Sequence, residues 1–134
     1  TRCCSSAASD VYKRQHRIRK LVGGGMRQIG VVAAAGTYAL DHHIDRLAHD
    51  HANALHLAER LTQVNAIHVD PNLVETNMVF IKLPDGAADG LRAHLAERGI
   101  LLGGGARQIR LVTHLDITRD DIDLLIEEIS HYFA

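Results

Sequence analysis

Residues 108–133 read QIRLVTHLDITRDDIDLLIEEISHYF and contain the pattern that decides the fold. Residues 109–113 alternate between two sides, with the two-residue period of a half-buried strand. Thr118 and Asp121 then have the spacing of a capping box, in which two side chains satisfy free backbone groups at a helix start. A strand followed by an amphipathic helix indicates an α/β fold. The core face expected for this helix is Ile122, Leu125, Ile126, Ile129 and Phe133.

The preceding segments add strands and one helix to that unit. Residues 76–83 (TNMVFIKL) are almost continuously apolar, which predicts a strand covered on both faces. Residues 87–98 predict a helix ending at Gly99, because glycine adopts the left-handed conformation of a C-cap without strain. We also predict short strands at 67–69 and 100–102. The expected domain is a small, mostly antiparallel sheet with helices packed on one face.

Two long helices are predicted before this sheet, so the class is α/β and, more narrowly, an α+β small domain preceded by connecting helices. Residues 26–40 are apolar or small on every side, and this helix is expected to be largely buried. Residues 41–43 interrupt it, and residues 44–63 predict an amphipathic helix. Its expected core face is Ile44, Leu47, His51, Leu55 together with Ala54, Ala58 and Leu61, and its expected solvent face is Asp45, Arg46, Asp50, Glu59 and Arg60.

The composition excludes several classes of partner. The 134 residues are 46% hydrophobic and carry a net charge of -1, so no basic excess favours binding to a nucleic-acid backbone. The longest apolar stretch, residues 29–40, is shorter than the ~20 residues that span a bilayer. We therefore expect neither nucleic acid nor a membrane as a partner.

The first 15 residues are interpreted as a leader foreign to the fold. They contain both cysteines, adjacent at Cys3 and Cys4. The string DVYKRQ at residues 10–15 is also the translation of GAT GTG TAT AAG AGA CAG, which resembles a transposon end used in sequencing-library preparation. Residues 1–15 are therefore expected to derive from an adaptor, with a genuine disordered tail as the alternative. Without them the chain has no cysteine, which fits a reducing cytoplasm.

A glycine-rich turn at residues 23–28 (GGGMRQ) is a candidate anion site. Free N–H groups at the following helix start, together with Arg27 in its first turn, would suit a phosphate. The turn does not have the G-x-G-x-x-G spacing of a dinucleotide fingerprint, and no strand precedes it. A flexible hinge between two helices is the alternative interpretation.

Arg110 is a second candidate for anion binding. Strand alternation places it on the same face as Val112 and His114, opposite Ile109 and Leu111. An arginine in an apolar strand is costly unless a carboxylate or phosphate meets its planar fork. That partner is either a ligand or an internal carboxylate such as Asp116.

The chain contains ten histidines, and their arrangement is more typical of a polar surface than of a metal site. His49 and His51 point to different sides of a helix, and the chain has no HExxH string for zinc. We therefore predict no metal site. The sequence also lacks a G-x-S-x-G elbow and a Walker loop.

Several strings resemble the low-specificity L-threonine aldolases, in order along most of the chain. They are RKLVGGGMRQ at 19–28, AAAGTYAL at 33–40, DHANA at 50–54, TNMVF at 76–80 and RLVTHLD at 110–116. The resemblance implies a pyridoxal 5'-phosphate enzyme of the type I, aspartate-aminotransferase-like fold. Such an enzyme cleaves a β-hydroxy-α-amino acid, L-threonine or L-allo-threonine, to glycine and acetaldehyde.

The same resemblance implies a domain organisation and a set of site residues. Residues 16–42 correspond to the end of a large domain and the start of the connecting helix, and residues 43–134 to a C-terminal small domain. Arg110 matches the arginine that holds the substrate α-carboxylate. Arg27 and Lys20 match basic residues near the cofactor phosphate that reach the neighbouring subunit's site, which implies a homo-oligomer, by resemblance a tetramer.

The resemblance also implies that this chain contains no catalytic residue. The lysine that binds the cofactor covalently is expected upstream, because Lys13, Lys20 and Lys82 do not match its motif. The chain alone is therefore expected to be inactive. The alternatives are the small domain of another type I enzyme, such as an aminotransferase or a β-eliminating lyase, and a non-catalytic binding or oligomerisation domain.

Overall fold

The computed structural model describes residues 3–134, with side chains from Asp10 onward, so Thr1 and Arg2 of the predicted leader lie outside the described residues. The chain divides into two compact units, residues 1–42 and residues 43–134. The helices are α1 (Cys3–Leu21), α2 (Gly30–His42), α3 (Leu47–Leu61), α4 (Ala87–Ala96) and α5 (Arg119–Phe133). The strands are β1 (Met78–Lys82) and β2 (Gln108–Val112), and a short 3-10 turn spans Pro71–Leu73.

The sheet of the second unit consists of β1 and β2 in antiparallel register. Phe80 faces Arg110, and Met78 faces Val112. The two other predicted strands do not form within the described residues: 67–69 contributes one bridge, from His68 to Lys82, and 100–102 is irregular. The prediction of a small antiparallel sheet is confirmed, but its extent was overestimated because short apolar runs do not specify a ladder partner.

One face of this sheet is covered and the other is open. Val79, Ile81 and Ile109 are completely buried, whereas Phe80 and Val112 are 51% and 38% exposed. The prediction that residues 76–83 are covered on both faces was therefore wrong for this chain. The strand is apolar on both sides, and within the described second unit the helices pack against one of them.

Helices α3, α4 and α5 form the core with the inner face of the sheet. The core face predicted for α5 is confirmed, with Ile122, Ile126 and Ile129 buried. The capping box is also confirmed: Asp121 N–H donates to Thr118 Oγ1 at 3.2 Å, and Thr118 N–H donates to Asp121 Oδ2 at 2.8 Å. The hydroxyl of Thr118 also donates to Asp121 Oδ2, at 2.6 Å, and together with the N–H of Thr118 it holds the pKa of Asp121 below its ordinary value.

Helix α4 ends in a Schellman motif at Gly99. The φ of Gly99 is 77°, and the N–H of Ile100 reaches back to the carbonyl of Leu95 at 3.0 Å. This confirms Gly99 as the C-cap. A residue with a Cβ would be strained at that φ, so the glycine fixes where the chain leaves α4 towards β2.

The buried face of α3 differs from the prediction. Asp50, Ala54, Leu57, Ala58 and Leu61 are buried, whereas His51 is exposed and Leu47 and Leu55 are 45% and 41% exposed. Asp50 was assigned to the solvent face, but only 3% of its surface is exposed. The physical reason is that Arg46, one turn earlier, binds both carboxylate oxygens at 3.0 and 3.1 Å and compensates the buried charge.

The first unit contains α1 and α2. The three glycines end the first helix as expected, with Gly23 at a φ of 87°. Helix α1 spans residues 15 and 16 without a break, and α2 begins at Gly30 rather than at Met26. The expectation that this second helix is largely buried was wrong, because none of its residues is buried. None of the helices within residues 3–134 has the length and apolar character needed to cross a bilayer.

Candidate functional site

Arg110 occupies the centre of β2, and its side chain is exposed on the open face of the sheet. The alternation predicted this face correctly, since Ile109 is buried and Val112 is partly exposed beside the arginine. Among the described residues Arg110 forms no side-chain hydrogen bond or ion pair. The internal bridge to Asp116 is not formed, and that carboxylate instead lies 3.6 Å from Nδ1 of His114. The guanidinium group is therefore available to an external anion.

A cavity of about 590 Å³ lies beside β2 and has Arg110 among its lining residues. Its wall is mostly apolar, and Arg98, His114 and Asp116 add charged or polar groups. An apolar wall with a few convergent polar groups is typical of sites for small organic ligands. The apolar lining includes Leu57, Leu102, Leu111, Ile117, Ile122 and Leu125.

The loop that enters β2 is held by two arginines. Arg92 donates to the carbonyl oxygens of Gly104 and Gly105, each at 2.7 Å. Arg107 forms an ion pair with Asp85, which raises the pKa of the arginine. These contacts define where β2 begins.

The end of β2 is anchored at Thr113, a residue that sequence reasoning did not single out for a site. Thr113 is 2% exposed, and its hydroxyl donates to the carbonyl oxygen of Asp50 at 2.7 Å. Asn77 closes the ladder: its side-chain amide donates to the carbonyl of Thr113 at 2.8 Å, and its own carbonyl accepts from the N–H of Thr113 at 3.0 Å. The four-residue spacing of Arg46 and Asp50 was an available signal, but both residues were assigned to the solvent face of the helix.

Two histidines join the helices of the second unit through carboxylates on α5. Nε2 of His56, on α3, lies 2.7 Å from Asp123. This hydrogen bond lowers the pKa of Asp123. His94 of α4 lies 3.1 Å from Glu128, which also pairs with Arg98. Among residues whose positions are described, no three acidic, histidine or cysteine side chains form a metal cluster.

Lys20 and Arg27, the predicted phosphate-binding residues, flank the glycine turn of the first unit. Both side chains are exposed, and Lys20 lies in the last turn of α1. A Cβ on Gly25 would approach Cγ of Lys20 to 2.8 Å, so the turn folds tightly against this lysine. Because α2 starts at Gly30, the expectation that Arg27 lies in its first turn was wrong. The arginine precedes the helix, near its first free N–H groups.

The positions of the basic residues show how far this chain fits a pyridoxal phosphate cofactor. Such a cofactor needs cations for its phosphate and one lysine amine for its aldehyde. Lys20 and Arg27 suit the phosphate, because they are exposed cations beside a glycine turn and a helix start. Lys13, Lys20 and Lys82 are all exposed, and none lines the cavity beside Arg110. The chain therefore fits the phosphate and offers no lysine at the cavity for the aldehyde.

Comparison with known proteins assigns the chain to a family. The sequence profile of the β-eliminating lyases matches residues 6–84, so the chain belongs to this family. The match begins within the predicted leader, and the assignment of residues 1–15 to an adaptor stays a prediction.

Individual relatives are similar to the chain over most of its length. Low-specificity L-threonine aldolase 1 of Arabidopsis thaliana is 48% identical over 109 residues, 78% of this chain and 30% of the relative. Low specificity L-threonine aldolase of Escherichia coli K12 is 41% identical over 125 residues, 93% of this chain and 35% of the relative. A probable low-specificity L-threonine aldolase of Schizosaccharomyces pombe is 34% identical over 116 residues, 87% of this chain and 29% of the relative. The chain thus spans about a third of the length of these curated relatives.

Proposed function

We propose that this chain is part of a pyridoxal 5'-phosphate-dependent carbon–carbon lyase that cleaves L-threonine and L-allo-threonine to glycine and acetaldehyde. The observation that carries the proposal is Arg110, an exposed and unpaired arginine within the RLVTHLD string. The relatives named low-specificity L-threonine aldolases support it, at 48% and 41% identity.

Arg110 binds the α-carboxylate of the amino acid in this proposal. Its planar guanidinium donates two parallel hydrogen bonds to the two carboxylate oxygens, an arrangement that the ammonium group of lysine does not reproduce. Holding the carboxylate fixes rotation about the bond to Cα, and so determines which bond at Cα is aligned for cleavage. The role of Arg110 is to orient the substrate so that the Cα–Cβ bond breaks.

Lys20 and Arg27 bind the cofactor phosphate in the site of a neighbouring subunit. Both are exposed on the first unit, which suits residues that act across a subunit boundary of a homo-oligomer. The bound cofactor supplies an electron sink for the negative charge left on Cα. We further propose that the enzyme has a type I fold, which the family match supports. We also propose a cytoplasmic location, because a sequence whose two cysteines both lie in the first four residues suits a reducing compartment.

The test compares Arg110→Lys and Arg110→Ala in the complete enzyme that contains this chain. Each lost charge-assisted hydrogen bond is worth about 1.5–3 kcal/mol, so kcat/KM for L-threonine should fall about tenfold or more in Arg110→Lys. The melting temperature should stay unchanged, because no described side chain pairs with Arg110. Arg60→Lys, which alters an exposed arginine of α3 that does not line the cavity, is the matched control and should retain full activity. An unchanged kcat/KM in Arg110→Lys would exclude the carboxylate role.

The 134-residue chain alone should not cleave threonine, because all three of its lysines are exposed and none lies at the cavity. Purified chain mixed with pyridoxal phosphate should show the absorbance of free cofactor. Threonine cleavage by this chain would contradict the proposal that the covalent lysine is supplied by another segment.

The family assignment favours a second candidate, cleavage of a leaving group from Cβ of an amino acid by a β-eliminating lyase. Arg110 would hold the carboxylate in the same way in both reactions. Incubation with L-threonine and with L-cysteine separates them, since acetaldehyde and glycine indicate the aldolase and pyruvate indicates elimination. Predominant pyruvate from cysteine would replace the first candidate by the second.

A further inference from the structure

The position of Arg110 depends mainly on its backbone. Its guanidinium forms no hydrogen bond or ion pair with the described residues, so no polar contact holds it before a ligand binds. A bidentate hydrogen bond to a carboxylate tolerates errors of only about 0.5 Å in the placement of the donor. The backbone of β2 must therefore be placed accurately for Arg110 to act.

The strand β2 receives little support from the sheet. Its only hydrogen-bonded neighbour within the described residues is β1, and isolated pairs of strands are marginally stable in water. The beginning of the strand is tied to the end of β1 by the bond from Leu83 N–H to the carbonyl of Arg107, at 2.9 Å. The other end is tied to Asn77, just before β1. All of these bonds stay within the two-stranded ladder.

Thr113 supplies a hydrogen bond that leaves this ladder. Its hydroxyl donates to the carbonyl of Asp50 in the first turn of α3, and both residues are almost fully buried. Carbonyl oxygens accept two hydrogen bonds, so Asp50 keeps its helical bond as well. This contact joins β2 to a helix of the core, three residues after Arg110.

The turn that receives this bond is itself fixed by an ion pair. No side chain caps the start of α3 at Arg46. Arg46 instead donates two hydrogen bonds to the carboxylate of Asp50, and 26% and 4% of the two side chains are exposed. The carbonyl of Asp50 is therefore a rigid acceptor rather than part of a frayed helix end.

From these contacts we infer that Thr113 is a positioning residue for Arg110, acting through the carbonyl of Asp50 that the Arg46–Asp50 pair holds in place. The inference rests on the proposed carboxylate role of Arg110. Loss of the hydroxyl would let the end of β2 move away from α3, and the guanidinium group would no longer be placed for bidentate contact. The main consequence is weaker substrate binding rather than unfolding, because Asp50 and the ladder keep their other hydrogen bonds.

The experiment compares Thr113→Val and Thr113→Ser in the complete enzyme that contains this chain. Valine keeps the shape and removes the hydroxyl, so KM for L-threonine should rise about fivefold while kcat changes less than about twofold. Serine restores the hydroxyl and should restore KM. Thr62→Val is the matched control: it removes a hydrogen bond of the same type, from Thr62 Oγ1 to the carbonyl of Glu59, at the other end of α3.

A fall in melting temperature for Thr113→Val with an unchanged KM would overturn the inference, since it would show a structural role only. The positioning role is equally rejected if serine fails to restore KM, or if Thr62→Val raises KM by the same factor. Failure of the proposed function has a different signature, namely an unmodified enzyme that does not cleave threonine.

If the complete enzyme does not cleave threonine, the anchoring of β2 by Thr113 is tested by hydrogen exchange on the 134-residue chain. Amide hydrogen exchange at residues 111 and 113, whose N–H groups point towards β1 in this register, should become about tenfold faster in Thr113→Val than in Thr62→Val. Equal exchange rates in the two variants would reject the anchoring of β2 by Thr113.

Discussion

Both units of the chain contain apolar helices, but the apolar side chains are exposed in the first unit and buried in the second. In the first unit Val31 and Leu40 of α2 are 80% and 67% exposed, and no residue of this helix is buried. In the second unit Leu91 of α4 and Ile129 of α5 are completely buried. Both units have apolar helices, so the difference lies in the partners that each helix meets. An apolar helix face is able to be buried, but it is buried only where another element of the structure packs against it.

The largest difference in stability between the two units is expected for two substitutions of leucine by alanine. Leu91→Ala removes a completely buried side chain and should lower the free energy of unfolding by about 2–5 kcal/mol, because it leaves a cavity. Leu40→Ala removes one that is 67% exposed, and the change should stay within about 0.5 kcal/mol. Urea denaturation of the chain measures both. Equal losses would show that α2 is packed in solution.

A second pair of variants compares a buried with an exposed carboxylate. Asp50→Ala should destabilise the second unit by about 1–3 kcal/mol, since it leaves the partly buried Arg46 without its partner. Asp89→Ala removes a carboxylate that is 96% exposed and pairs with Arg92, so the loss should be less than about 1 kcal/mol. Urea midpoints decide the order, and a larger loss for Asp89→Ala would contradict the burial of Asp50.

The third comparison uses the same substitution at two helix positions. Thr118→Ala removes the capping box of α5 and should cost about 1 kcal/mol. Thr37→Ala in α2 removes only a bond from its hydroxyl to the carbonyl of Ala33, and the higher helix propensity of alanine should make it neutral or slightly stabilising. Thermal unfolding followed by circular dichroism measures both. A stable Thr118→Ala variant would show that the box contributes nothing.

The acid sensitivity of the second unit should follow from Asp121 and Asp123. Hydrogen bonds from Thr118 and from His56 lower the pKa of these two carboxyls in the folded state. Their stabilising contribution is present above the unfolded pKa and is lost as the pH falls through the lowered folded pKa. Wild type should therefore lose more stability than Asp123→Asn between about pH 5 and about pH 2. Asp120→Asn, on the same helix, is the control, and parallel curves for wild type and Asp123→Asn would refute the assignment.

The smallest effect on stability is expected in α2, where the consequence is association instead. Its exposed apolar side chains should make the chain self-associate, because contiguous apolar surface favours contact between molecules. Val31→Lys should lower the average mass by light scattering and leave the urea midpoint unchanged. Leu73→Lys, at a position 76% exposed in the second unit, should leave the mass as it was. Monomeric wild type at high concentration would contradict this prediction.

Local signals in the sequence predicted local features well. The capping box at Thr118, the C-cap at Gly99 and the face of Arg110 depend on residues within a few positions of each other, and all three are confirmed. Features that depend on distant partners were missed. Residues 100–102 have the composition of a strand, but they pair with no other strand in the part of the chain that the structure describes.

Asp50 shows why part of the candidate site was beyond sequence reasoning. A single charged residue on a helix is normally solvated, so the pattern favoured the surface. Its burial is allowed by Arg46 on the same helix and used by Thr113, 63 positions further along the chain. No periodicity reveals a contact across such a separation. The carboxylate-binding role proposed for Arg110 comes from the resemblance, since strand alternation alone left its partner undecided.

The contacts of α5 bear on how the protein is made. His56 and Asp123 are 67 positions apart, so α3 leaves the ribosome long before its partner on α5 exists. At about 5–20 residues per second, translation of that interval takes several seconds. During this time the apolar side of α3, including Leu57 and Leu61, is without the helix that later packs on it. The apolar side of α3 therefore stays exposed on the nascent chain until α5 is synthesised.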